Sequence, residues 1–348
     1  MMSSRDVAKI AGVSQATVSR VMNSPEKVKP DTRIKVLNAM EQLNYYPDSI
    51  ARSMKNGRTF NIGLIIGGLS NPFFAETAEI IIKTAGKYNC HVTLCVTEEI
   101  PWKMDESIDL LITKRVDGVI IGSVGRDDPI HRLKNNNIPF VLYNRRRDRE
   151  DEDYVIQDNL KGGFDAVSHL IRLGHTKIGA LHGPVAFDTV EERMKGYYEA
   201  LSTNHLRIYD HFVQEIDFTD TESKVEQAMK IMFNDHVKPT ALFTTADFLA
   251  LDAIEYLMAN QYRIPQDIAL VGFDNTKISG HSLIGLSTVG QQAGEMARLA
   301  VERLMKKIEN EGGKENCTEM ELQNPWNIKL EPQLIVRKTC GANLKDPN

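Results

Sequence analysis

Cysteine is scarce in this chain. Cys90, Cys95, Cys317 and Cys340 are the only four among 348 residues. No two form a CxxC pair and no histidine cluster lies near them. That pattern argues against a disulfide framework and a cysteine zinc site, and it suits reduced thiols in a cytoplasmic protein. GxGxxG, a P-loop and HExxH are absent too, so the common dinucleotide, nucleoside-triphosphate and zinc-hydrolase signatures find no foothold. No apolar run approaches bilayer-spanning length, and the first residues lack the basic-then-apolar pattern of a secretory signal. The expectation is a cytoplasmic protein with no membrane attachment, no metal and no cofactor. The net charge of −5 by itself argues against a polyanionic partner. Its distribution reverses that. Residues 1–60 hold ten Lys or Arg against five Asp or Glu, a net +5 that leaves −10 for the remainder. A basic head on an acidic body suits polyanion contact by the head alone.

The head carries a patterned stretch over residues 5–23, which reads as two short helices joined by a tight turn. Val7 and Ile10 give the first helix an apolar side, and Val18 and Val21 give the second one. Ala8 is small enough for a close crossing. Gly12 permits the positive φ that the turn needs, and Ser14 suits the N-cap of the second helix. From that helix, with Ser14 at its start, Gln15, Ala16 and Arg20 are placed to reach base edges in a major groove. Thr17, Ser19 and Asn23 are placed to hold phosphates. For the stretch alone, an ordinary helical hairpin with a polar face is the competing reading. Pro30 can open a third helix, with Val36, Leu37, Met40 and Leu43 on one side and Ile34 at its margin. Residues 47–57 follow, with Asp48 or Ser49 able to start a helix and Gly57 able to end it. Two turns are too few for a stable isolated helix, and Ile50 and Met54 share one face. A plain linker is the alternative.

From residue 61 the pattern becomes alternating strands and helices. Strands are expected at 61–67, 91–96, 118–122 and 140–144, with helices at 73–88 and 103–115. A second series has helices at 161–173, 189–203 and 247–260, with strands at 178–182, 241–245 and 268–272. Such alternation means parallel sheets covered by helices. Two successive series imply two doubly wound subdomains, with ligands bound outside the carboxyl ends of their strands.

The order of motifs resembles the lactose/galactose repressor family of bacterial transcription regulators over essentially residues 4–340. The likeness rests on Asp6-Val7-Ala8 through Ser14, Ala16 through Val21 with Asn23, Asn44-Tyr45 with Pro47, and Ala51 through Lys55. In the body it rests on Ser70-Asn71-Pro72-Phe73-Phe74-Ala75-Glu76, Val116-Asp117-Gly118, Asp158-Asn159, Gly174-His175, Arg193 with Gly196, Pro239-Thr240-Ala241, and Val271 through Asn275. The resemblance implies an α/β fold: an N-terminal helix-turn-helix DNA-binding head plus a periplasmic-binding-protein-like core of two doubly wound parallel-sheet subdomains. The domains are then 1–46 for the helix-turn-helix, 47–60 for a hinge helix or linker, and 61–340 for an effector-binding and dimerisation core, with 341–348 as a tail. Within the core, the first subdomain takes about 61–159 and 291–322, and the second about 160–290 and 323–340.

The resemblance further implies a homodimer whose heads bind double-stranded, pseudo-palindromic operator DNA. A hinge helix would wedge an apolar side chain, here Met54 beside Lys55, into the minor groove. For a small polar effector, the resemblance points to Phe73, Phe74, Asp158, Asn159, Arg193, Phe218, Asp247 and Asp274. Aromatic faces stacking on apolar ring faces, with Arg and Asp holding paired hydroxyls, fit a sugar or sugar derivative. Taken singly, the phenylalanines read as core, Asp247 as a helix cap and Arg193 as a surface charge. One branch of the family uses a phosphocarrier protein as corepressor, a partner the sequence leaves open.

Some positions depart from the family pattern. Asp252 stands where Gly is common, on a helix expected near the dimer interface. Arg145-Arg146-Arg147 reads either as a solvated loop or as added positive charge at the cleft mouth, which would favour a phosphorylated or acidic sugar. The leading function is a ligand-controlled transcriptional regulator, most often a repressor in this family. A soluble sugar receptor without a DNA-binding role is the alternative, opposed by the basic head. A sugar-processing enzyme finds no nucleophile–base pair or metal cluster in support, and no catalytic residue is assigned.

Overall fold

A computed structural model of the chain describes residues 3–23, 27–45, 58–125, 127–147, 149, 151–218, 221–311 and 326–342. Residues 46–57, with the hinge reading, Met54 and Lys55, lie outside the described residues, as do Cys317, the side chain of Asn23 and residues 343–348. The chain divides into two compact units, Met1–Thr59 and Phe60–Asn348.

The first unit holds α1 (Ser4–Ala11), α2 (Gln15–Asn23) and α3 (Pro30–Gln42). α1 ends on Gly12 at φ +65°, as the turn requires. Ser14 caps α2, its Oγ accepting from Thr17 N at 3.1 Å. The core consists of Val7, Ala8, Ala11, Val18, Val21, Val36 and Ala39, small side chains that bring three short helices close together. Two sequence expectations fail here. Ile10 is exposed, because at roughly 100° per residue it falls on the far side of Val7 from Ala8 and Ala11. Leu37 and Ile34 are exposed for the same reason, since Val36 and Ala39 centre the buried arc of α3.

Among the described residues, the second unit contains two six-stranded sheets. The first runs β11 (Asn327–Leu330), β5 (Tyr154–Gln157), β4 (Phe140–Tyr143), β3 (Gly118–Ile121), β1 (Asn61–Ile66) and β2 (His91–Val96). All its pairings are parallel. The second runs β12 (Gln333–Ile335), β10 (Ser287–Gly290), β9 (Ala269–Asp274), β8 (Ala241–Thr244), β6 (Ile178–His182) and β7 (Val213–Glu215). It is parallel except for the β10–β12 pair. Central strands are buried on both faces, as sheets covered by helices must be. Helices Pro72–Gly86 and Ala293–Glu311 cover one face of the first sheet, and Pro101–Thr113 the other. Helices Asn159–Arg172 and Asp188–Thr203 cover one face of the second, and Thr221–Phe233 and Asp247–Ala259 the other.

The chain therefore changes subdomain three times: after β5, after β10 and after β11. The third change corrects the expected boundary at 322/323. β11 pairs with β5 in register Asn327–Tyr154 to Leu330–Gln157, so the first subdomain keeps residues through 330. Among the described residues, no helix is long and apolar enough to cross a membrane, and no group of three or more His, Cys, Asp or Glu is arranged to hold a metal.

Candidate functional site

Two surfaces carry chemistry, one in each unit. In the head, Ser14, Gln15, Ala16 and Arg20 are exposed, while Thr17 and Ser19 are half-buried. Thr17 Oγ1 lies 2.9 Å from Ser14 Oγ, so that hydroxyl is engaged in the cap. Gln15 Nε2 donates to Ser4 Oγ at 2.8 Å, which orients its amide. Among the described basic residues, Arg5, Lys9, Arg20, Lys27, Lys29, Arg33 and Lys35 are exposed, and Arg58 is half-buried. They give the head the electrostatic footprint of a polyanion binder.

In the body, a cleft of about 440 Å³ lies where the carboxyl ends of both sets of strands face each other. Phe73 and Phe74 open the helix Pro72–Gly86, whose start is fixed by Pro72 and by Asn71 Oδ1 accepting from Phe73 N at 3.0 Å. The two rings meet edge to face at 5.5 Å. They are buried in the core and also line the cleft. Phe218 and Phe248 supply aromatic surface from the second subdomain.

Arg193 lies at the floor, only 5% exposed. Its Nε donates to Asn159 Oδ1 at 2.9 Å, and its Nη1 to the Thr245 carbonyl at 2.6 Å and to Asp274 Oδ1 at 3.4 Å. The guanidinium lies 3.7 Å over the Phe273 ring. Two glycines make this placement possible. A Cβ on Gly163 would sit 2.2 Å from the Arg193 carbonyl, and one on Gly196 would sit 2.2 Å from the Leu160 carbonyl. The helices Asn159–Arg172 and Asp188–Thr203 thus cross backbone against backbone. Asp274 ends β9 at φ +120° and accepts from Gln291 Nε2. Burial pushes its carboxyl up to about 7 against the pull of Arg193. Burial also pulls the Arg193 guanidinium down to about 10, still protonated at neutral pH.

Five of the eight expected residues, Phe73, Phe74, Arg193, Phe218 and Asp274, line the cleft. The other three do not. Asp158 caps the helix Asn159–Arg172, accepting from Lys161 N at 3.0 Å, and pairs with Lys329. Asn159 stands behind Arg193 and aims it. Asp247 is wholly buried. It accepts from Thr276 N at 2.9 Å and Thr288 Oγ1 at 2.6 Å, tying the ends of β9 and β10. Burial raises its pKa as well.

The arginine run is not a solvated loop. Arg147 pairs with Glu152 in the interior. Arg146 pairs with Glu192 at 3.0 Å, and its N–H donates to Asp188 Oδ2 at 3.0 Å, bridging the two subdomains. Arg145 lines the cleft but is bound through both terminal nitrogens by Glu99. Sequence reasoning also missed Asn144, Gln291 and Asp252, which line the cleft. Asp252 reaches the cleft from the helix Asp247–Ala259. Asn144 takes φ +68°. Asn144 Oδ1 and Gln291 Oε1 are buried acceptors with no partner among the described residues.

Residues 4–48 match the family described as bacterial regulatory proteins, lacI family, and residues 167–340 match a periplasmic binding protein-like domain. The HTH-type transcriptional repressor PurR of Aliivibrio salmonicida is 33% identical over 337 residues, covering 96% of this chain and 98% of that protein. The lac repressor dimer bound to operator and the anti-inducer ONPF superposes with a TM-score of 0.80 at 26% identity, covering 97% of this chain and 99% of that one. The transcriptional regulator CelR–cellobiose complex superposes with a TM-score of 0.71 at 28% identity, covering 97% and 100%.

Proposed function

This chain belongs to the lacI family of bacterial regulatory proteins, a family of transcriptional repressors and not of enzymes, and we propose that it represses transcription under the control of an uncharged, sugar-like effector. The effector binds in the cleft of the body, and the heads of a homodimer bind a pseudo-palindromic operator. The observation that carries the reading is the Arg193–Asp274 pair at the cleft floor. It offers a donor and an acceptor side by side, the arrangement that two neighbouring hydroxyls satisfy together. Asn144 Oδ1 and Gln291 Oε1 add two unused acceptors, and four phenylalanines add apolar faces. On the head, Gln15, Ala16 and Arg20 read base edges, while Ser14, Thr17, Ser19 and Asn23 position the backbone. Met54 and Lys55 are assigned to the minor groove by the family pattern. A planar heterocyclic ligand is the second reading, favoured by the same four aromatic rings.

A thermal-shift screen of the full chain decides between them, with mono- and disaccharides in one arm and nucleobases and nucleosides in the other. A ligand at 100 times its Kd stabilises the body by about 2.7 kcal/mol. Stabilisation by a saccharide supports the reading. Stabilisation confined to the heterocycles replaces it with the second.

A further inference from the structure

Two buried arginines in one cleft would ordinarily invite an anion. We infer that Glu99 is the charge-selecting residue of this cleft: its two-pronged hold on Arg145 makes the cleft refuse phosphorylated ligands and accept uncharged ones. The inference deepens, and rests on, the reading of the cleft as an effector site.

Arg145 and Arg193 are the basic side chains among the described residues that line the cleft. Arg193 is answered by Asp274, the Thr245 carbonyl and Asn159. Arg145 is only 4% exposed, and its two terminal nitrogens face one carboxylate. Nη1 donates to Glu99 Oε2 and Nη2 to Glu99 Oε1, each at 2.9 Å. Ser123 Oγ donates to the same Oε2 at 2.6 Å. One face of the guanidinium is covered by the Phe187 ring at 3.7 Å. A phosphate approaching Arg145 must displace a carboxylate that is tethered in place and already in the bidentate geometry that arginine favours. Two further carboxylates in the lining, Glu98 and Asp252, add negative charge that repels the same ligand.

The local chain is built to put the carboxylate there. Glu98 and Glu99 follow β2 at φ +51° and +59°, a conformation that L-residues rarely adopt. Opposite them, Gly67 leaves no space for a side chain: a Cβ would lie 2.2 Å from Glu99 Oε1. A charge-free residue at 99 would strand the Arg145 charge, because burying either ion alone is far costlier than burying the pair.

Glu99→Gln tests the inference. An amide cannot neutralise Arg145, so the guanidinium becomes available to an anion. Inorganic phosphate and glucose 6-phosphate are titrated calorimetrically into the full chain, wild type and variant, with glucose as the uncharged control. The wild type should ignore inorganic phosphate. Glu99→Gln should bind it at least about tenfold more tightly, the factor that roughly 1.4 kcal/mol delivers. The double variant Glu99→Gln/Arg145→Gln should lose that gain. Gly67→Ala, which crowds the same carboxylate without removing it, should gain phosphate binding to a smaller degree, and it puts the same question if Glu99→Gln does not fold. Phosphate binding by the wild type, or no gain in the folded variants, overturns the charge filter. A wild type that ignores every saccharide and heterocycle, beside a Glu99→Gln variant that takes phosphate, instead overturns the effector reading and leaves the filter standing.

Discussion

In the head, Arg5, Lys9, Gln15, Arg20, Lys27, Lys29, Arg33 and Lys35 are exposed, above a core of four valines and three alanines. In the body, Arg145, Arg193 and Asp274 at the cleft are sunk to a few per cent exposure and held by other polar groups. The contrast separates what each region can lose. A polar side chain of the head works in high dielectric, so its removal changes DNA recognition and leaves folding nearly untouched. A polar side chain of the cleft is part of an interior network, so its removal costs stability and ligand binding together.

Replacing Arg193 is the sharpest way to test that contrast. Arg193→Ala leaves Asp274, Asn159 and the Thr245 carbonyl without their shared donor. It should destabilise the body by about 3–5 kcal/mol, read from urea unfolding. A loss below about 1 kcal/mol would mean that the network is not structural. Gly163→Ala comes next, with about 1–3 kcal/mol from overpacking against the Arg193 backbone, and calorimetric melting checks it. A variant as stable as the parent would show that the helix crossing can relax.

The next effect concerns pH and is read as a slope. The Asp274 carboxyl is raised to about 7 by burial from an ordinary 3.8, so the folded body holds a proton there that the unfolded chain releases. Its contribution is therefore full below pH 4 and is lost as pH rises towards 7, with a slope of at most about 1.4 kcal/mol per pH unit. Asp274→Asn removes that slope. Urea unfolding between pH 4.5 and 7.5 should show the variant gaining on the wild type as pH rises, and parallel curves would contradict the assignment. The smallest stability effect belongs to the head. Arg20→Ala should change stability by less than about 0.5 kcal/mol, yet relax one base-pair preference per half-site by about 1–3 kcal/mol in a binding-site selection.

The parts of this molecule legible in its sequence are those governed by short-range rules. Gly12, Ser14 and the spacing of Val7, Val18 and Val21 announce the helix-turn-helix, and the apolar strands 61–66, 118–121 and 178–182 announce parallel sheets. Ile10 and Leu37 misled because an apolar residue need not face the core when alanines fill a narrow gap. Arg193 and Asp274 were found through the family pattern. Asn159 and Asp247 belong to that pattern as well, but they act one layer behind the cleft, a distinction only packing reveals. Gln291 follows β10, whose residues Ser287 to Gly290 are buried yet largely polar and so give no strand signal. The Glu99–Arg145 pair joins residues 46 apart in the chain. Nothing in the sequence around Glu99 signals the pair, and Arg145 to Arg147 reads either as a solvated loop or as added positive charge at the cleft mouth.

The central claim is that cleft and head are coupled, and a linkage measurement tests it most directly. The dissociation constant of a ligand found in the thermal screen is measured by calorimetry on the full chain, free and saturated with its selected operator DNA. Operator affinity is measured with and without saturating ligand. The account predicts that the two ratios depart from one and equal each other, since coupling between two sites is reciprocal. A ligand that saturates the cleft equally well with and without operator, and leaves operator affinity unchanged, would contradict it.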